Sequence, residues 1–213
     1  MQRFTWLQRL TMEWAGYEEQ SEQLRRWLKE TESQLPDELH LWTTLDEKRA
    51  QLLVYRTALQ DVSAHQQDIV ALKDKAEALP ERGTKVDQLL SQLTTQHATL
   101  LKRAQSFVER YEAIVSDHQQ YSKAVMDNQE WLEATHNTVL LWGDCDLERI
   151  SLHSNIERLK NLQTSLPEEE HRIHVIRSLG QKVIPGTVDS GQINIRSQID
   201  YSQQEWEGLL SAV

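Results

Sequence analysis

Between Thr84 and Trp142 the chain contains neither glycine nor proline, and one stripe of residues recurs through it at alternating spacings of four and three. The stripe runs Val86, Leu90, Leu93, His97, Leu100, Ala104, Phe107, Tyr111, Ile114, His118, Tyr121, Val125, Asn128, Leu132, Thr135, Val139 and Trp142, and most of these are apolar. A mean period of 3.5 residues keeps one face of a helix against its neighbours in a left-handed bundle. Helical throughout, the stretch would extend about 85 Å at 1.5 Å per residue. That exceeds what one globular core needs, so this helix is predicted to pass through more than one.

The same seam occurs upstream at Tyr17, Ser21, Leu24, Leu28, Thr31 and Leu35, and Pro36 stops it. A second helix is predicted from about Thr44 to Leu79 on Leu52, Tyr55, Leu59, Val62, Gln66, Ile69, Ala76 and Leu79, closed by Pro80 and Gly83. Thr43 or Thr44 would cap its start, with Asp46 and Glu47 favourable in the first turn. Only seven glycines and four prolines occur, against 38% hydrophobic and 26% charged residues. The chain is too apolar for disorder and too poor in turn formers for a β protein, which leaves an all-α fold.

Compared with itself, the chain repeats. RRWLKETESQL from Arg25 to Leu35 answers QEWLEATHNTV from Gln129 to Val139, a displacement of 104 that pairs Trp27 with Trp131 and Leu28 with Leu132. The same displacement pairs Leu52 with Ile156, Tyr55 with Leu159, Val62 with Leu166 and Ile69 with Ile173. In the third helix it becomes 109, pairing Val86 with Ile195, Leu90 with Ile199 and His97 with Trp206. The five extra residues fall in IPGTVDSGQ, a segment whose composition makes a loop insertion easy. Persistence over this length argues for an internal repeat. The expected organisation is residues 1–16 as the end of a preceding repeat or linker helix, a repeat at 17–117, and a second at 118–213 cut short in its third helix.

A tryptophan midway along the first helix of both units, Trp27 and Trp131, a second aromatic in the third helix, Trp206, and units fused by one continuous helix together resemble the spectrin repeat family. The resemblance covers nearly the whole chain and implies tandem three-helix left-handed coiled-coil bundles joined by a continuous linker helix. His97 stands where the second unit has Trp206, which implies different core packing in the first. Segments such as NQEWLEA and DLERISLHSNIERLKNLQTSLPEEE look most like the giant nesprins, with dystrophin-like and plakin-like rods as alternatives. That resemblance implies a cytoplasmic spacer between an actin-binding end and an anchor in the outer nuclear membrane. Actin and luminal binding would then belong to other parts of the parent, and the repeats would dock cytoskeletal regulators such as formins or motor adaptors.

Residue by residue, the chemistry reads as structural. Trp27, Trp131 and Trp206 are expected in the cores, and Phe107, Tyr111, Ile114, His118, Tyr121 and Val125 at the inter-repeat junction, with His118 half exposed there. Asn128 is a polar residue at a seam position, which can set register at some cost in stability. His171 and His174 lie three apart, a spacing that suits two metal ligands, but no zinc-protease signature accompanies them, and a solvated face is the expectation. Cys145 sits between two aspartates, which disfavour a thiolate, and a single cysteine forms no internal disulfide. No catalytic residues, metal ligands or cofactor are expected. With 23 Lys plus Arg against 33 Asp plus Glu, the net charge of −10 disfavours nucleic acid and anionic lipid. No apolar run approaches the roughly 20 residues of a membrane span, so direct membrane insertion is not expected. Protein partners remain, and Glu168, Glu169 and Glu170 together with the IPGTVDSGQ loop are the candidate docking surfaces. The favoured function is an elastic spacer and scaffold, and the alternative is a dedicated docking module.

Overall fold

The computed structural model describes residues 2–79, 83–142 and 149–212. Its α-helices are α1 (Gln2–Gln34), α2 (Leu45–Ala64), α3 (Gln66–Glu77), α4 (Thr84–Trp142), α5 (Arg149–Ser165), α6 (His171–Val183) and α7 (Asp189–Ala212). Short 3-10 turns occupy Leu166–Glu170 and Ile184–Gly186. The fold is all-α, and the described residues carry a single isolated β-bridge. No helix among them is long and apolar enough to cross a membrane. Pro80 and Cys145 lie outside the described residues.

The chain divides into two compact units, Met1–His40 with Ala50–Glu112, and Leu41–Arg49 with Ala113–Val213. The glycine-free stretch is one helix of 59 residues. Its first part contributes Val86, Leu90, Leu93 and Leu100 to the first core, and its last part Tyr121, Val125, Leu132 and Val139 to the second.

In the first unit, Tyr17, Leu24 and Leu28 of α1 meet Val62 of α2, Ile69, Leu72 and Ala76 of α3, and the stripe of α4. Removing such side chains from water supplies about 25 cal/mol per Å² of apolar surface, and that drives the bundle together. Pro36 follows the end of α1, whose last carbonyls lack helical partners. Arg103 supplies one, donating from Nη1 to the Leu35 carbonyl at 2.9 Å while Nη2 lies 3.0 Å from Asp37. Tyr55 and Tyr111 pack edge to face at 5.3 Å. They fix the next loop at His40, whose N–H donates to the Tyr55 hydroxyl and whose carbonyl accepts from the Tyr111 hydroxyl. Burial, and then the neighbouring Tyr55, push the Tyr111 hydroxyl up to about 12. The upstream half of α1 exposes Trp6, Leu7 and Met12.

The predicted second helix is broken rather than continuous. At His65 the ring Nδ1 lies 2.7 Å from the Asp61 carbonyl and α2 ends. In the second unit the corresponding helix breaks at Leu166–Glu170, where Pro167 has no N–H for the helical ladder. The two breaks coincide under the displacement of 104, since His65 maps onto Glu169.

Among the described residues of the second unit, two core clusters stand out. Tyr121, Val125, Ile176, Val183, Ile195 and Ile199 form one, and Leu132, Val139, Leu166, Ile173, Trp206 and Leu209 the other. Asn128 falls between them on α4 and is 1% exposed, with neither amide atom hydrogen-bonded.

Candidate functional site

The loop after α1 is not a free connection. Residues Leu41–Arg49, the end of that loop and the first turn of α2, belong to the second unit, and they form a strap laid into the corner where α6 turns into α7. Trp42 pairs with Thr187 as a parallel bridge, and the Val188 N–H donates to the Trp42 carbonyl at 3.3 Å. Two glycines let the backbones approach. A Cβ on Gly191 would stand 2.7 Å from the Thr43 side chain, and one on Gly186 would stand 2.9 Å from Ile114. Gln192 ties the corner together by donating from Nε2 to the carbonyls of Ile184 and Thr187, each at 3.1 Å. The five-residue insertion is therefore the seat of the strap.

Local sequence sets where the strap turns helical. Thr44 and Glu47 form a capping box: the Glu47 N–H donates to Thr44 Oγ1 at 3.1 Å, and the Thr44 N–H donates to Glu47 Oε1 at 3.1 Å. That start puts Lys48 one turn in, pointing into the unit, and the lysine is 0% exposed. Its ammonium lies 2.9 Å from His118 Nδ1 and donates to Thr187 Oγ1 at 2.8 Å, and the Thr187 hydroxyl donates in turn to the Val183 carbonyl at 2.8 Å. His118 packs edge-on to Tyr121 at 6.2 Å, and the Tyr121 hydroxyl donates to Gln198 at 2.8 Å. Beside them the Gln119 amide, oriented by its hydrogen-bond partners, accepts from Arg49 Nη2 at 2.8 Å.

An ammonium removed from water without a carboxylate is costly, and the charged form gives way first. Burial pulls the Lys48 amine down to about 8. His118 is pulled down to about 4, by burial first and then by the charges of Lys48 and Arg49. Near pH 7 the pair is therefore a lysine cation donating to a neutral imidazole, with the ring proton on Nε2. Tyr121 moves the other way, up to about 12, through burial.

The expected site residues are distributed as follows. Trp206 is 1% exposed in its core, whereas Trp27 and Trp131 are only partly buried. Each of these two has a polar partner that holds it at the core's edge. Trp27 stacks on His65 at 3.6 Å and donates from Nε1 to Asp61 at 2.7 Å, while Arg172 sits 4.9 Å over the Trp131 ring. Trp131 itself stacks on Trp206 at 5.7 Å. Of the six junction residues, Phe107 and Tyr111 are buried in the first unit beside Tyr55. Ile114, His118, Tyr121 and Val125 belong to the second. His118 was expected half exposed and is instead 8% exposed, because the strap covers it. His97 is buried and its Nε2 lies 2.7 Å from the Val62 carbonyl, so the position filled by an indole in one unit is filled by a hydrogen-bonded imidazole in the other. Glu169 is held by Arg172 at 2.8 Å, Glu170 is exposed, and Glu168 lies in the same 3-10 turn. His171 and His174 are both exposed on α6.

Sequence reasoning missed Lys48. The signal was present, because Lys48, Leu52, Tyr55, Leu59 and Val62 continue the four-three spacing, and a lysine in core phase directly after a capping box is anomalous.

No protein-family model matches the chain. It is 55% identical over 200 residues to Muscle-specific protein 300 kDa of Drosophila melanogaster, an alignment covering 94% of the chain. It is 23% identical to human Nesprin-2 over 205 residues and 23% identical to mouse Nesprin-3 over 216 residues, alignments covering 95% and 98% of the chain. The chain is a nesprin-like spectrin-repeat segment. It spans 2% of the length of the Drosophila protein, 3% of Nesprin-2 and 21% of Nesprin-3.

Proposed function

We propose that this segment is an elastic spacer and scaffold within a linker between the cytoskeleton and the nuclear envelope. Residues 17–117 and 118–213 would serve as its two spectrin-type repeats, and residues 1–16 as the end of a preceding element. The parent would lie at the cytoplasmic face of the outer nuclear membrane, with cytoskeletal protein partners, and actin and luminal contacts would belong to other parts of it. Neither a cofactor nor catalysis enters this reading.

The observation that carries it is the uninterrupted α4, which supplies buried side chains to both units. A load along that helix acts on both sets of core contacts, as nearest-neighbour coupling in repeat arrays requires. The test is single-molecule stretching of the whole chain and of Ala113→Pro, an exposed α4 position where proline costs about 3 kcal/mol of helix. Joint unfolding of the two units in the unaltered chain, replaced by separate events in the variant, is the expected result. The same unfolding pattern in both chains would refute the spacer reading.

A further inference from the structure

The seated strap buries an ammonium whose two partners, an imidazole nitrogen and a hydroxyl, carry no negative charge. In most buried lysines a carboxylate supplies the compensation, and that attraction survives mild acid. Here the partner that must stay unprotonated is itself a base. A proton on His118 Nδ1 would take the lone pair that accepts from Lys48 and set two cations 2.9 Å apart, enclosed at 8% and 0% exposure. We propose that the Lys48, His118 and Thr187 cluster is a proton-operated latch, in which protonation of His118 ejects the strap Leu41–Arg49 from the corner formed by residues 184–192.

The charged groups facing His118 act in one direction, and the others are neutral. From the strap come Lys48 and Arg49, both cationic. Tyr121 on its own helix is neutral across the acid range, its hydroxyl being raised by burial. From the corner comes Thr187, which is uncharged and bonds to the same ammonium. With the strap displaced, the imidazole would return to the ordinary histidine range near 6.5. The seated imidazole, held near 4, resists the proton, so acid favours the released state. The sign is fixed by the lowered value: attachment is complete above about pH 6.5 and weakens as pH falls toward 4. Lys48 is protonated in both states over that range and contributes no slope. At pH 5 the released fraction is about 20-fold its value at pH 7 and about 30-fold its value at pH 7.5.

The corner reports release directly, because the Val188 amide is protected by the Trp42 carbonyl. Hydrogen exchange at Val188, corrected for intrinsic rates, is measured on the whole chain from pH 7.5 to 5, with Leu93 in the first core as reference. Val188 exchange is expected to rise about 30-fold while Leu93 stays flat, and His118→Asn, which keeps an acceptor without a titratable proton, should flatten Val188. An equal rise in His118→Asn, a matching rise at Leu93, or no rise at all overturns the latch. A second measurement needs no variant: the ring resonances of His118 should titrate well below 6.5, and titration at the ordinary value overturns it as well.

Discussion

Trp131 and Trp206 are stacked neighbours in one core, yet truncating them should have unequal consequences. Complete burial of an indole removes on the order of 200 Å² from water, about 5 kcal/mol at 25 cal/mol per Å², and alanine recovers a small part of that. Trp206 is 1% exposed, so Trp206→Ala is expected to cost about 4 kcal/mol, including the cavity it leaves. Trp131 is partly buried, and roughly two-thirds of that 4 kcal/mol plus about 0.5 kcal/mol from the Arg172 contact gives about 3 kcal/mol. The Trp206 indole N–H has no partner, so Trp206→Phe removes an unsatisfied donor along with volume and should cost only about 1 kcal/mol. Urea unfolding followed by far-UV circular dichroism ranks the three variants. Since the sequence repeat pairs Trp131 with Trp27 and gives both the same expected role, a Trp131→Ala penalty equal to or above that of Trp206→Ala would refute the argument from burial.

Two further outcomes follow from the second unit. Lys48→Met replaces a buried ammonium with an apolar chain of similar length and should stabilise the unit by about 1–2 kcal/mol at pH 7. Because the amine is lowered from 10.5 to about 8, its cost is full below pH 8 and fades toward 10.5, so the gain measured by thermal melting should shrink over that interval. Asn128→Leu removes two unpartnered buried amide atoms and should raise stability by about 1 kcal/mol in urea titrations, with a loss indicating that the amide is satisfied after all.

Much of the architecture was legible in the sequence because helical bundles are written in periodicity. The Thr84–Trp142 helix, a capping threonine at position 43 or 44 and the phase of nearly every core residue follow from spacing and local chemistry, and the structure has the cap at Thr44. What spacing could not convey was how a residue in core phase satisfies its polar atoms. Trp27 and Trp131 each stand one position before a seam leucine, and Asp61 and Arg172 keep them at the core's edge. The breaks at His65 and at Leu166–Glu170 escaped for a related reason: a side chain bonding its own helix and a proline just past Ser165 alter the ladder without altering the apolar period. The strap was least legible, since a loop of ordinary composition gives no sign of what it lies against, and only the lysine out of character hinted at it.

The placement of Leu41–Arg49 also bears on modularity. Sequence repeats invite the view that a rod can be cut between repeats and its pieces exchanged. Here the second unit borrows nine residues from the middle of the other's sequence, so a cut after Glu112 separates Lys48 from His118 and Thr187. Either fragment would be incomplete: one would carry a strap without its seat, the other an open corner. The inheritable module is therefore longer than the repeat, and substitutions at positions 48 and 187, 139 residues apart in sequence, are expected to be selected together.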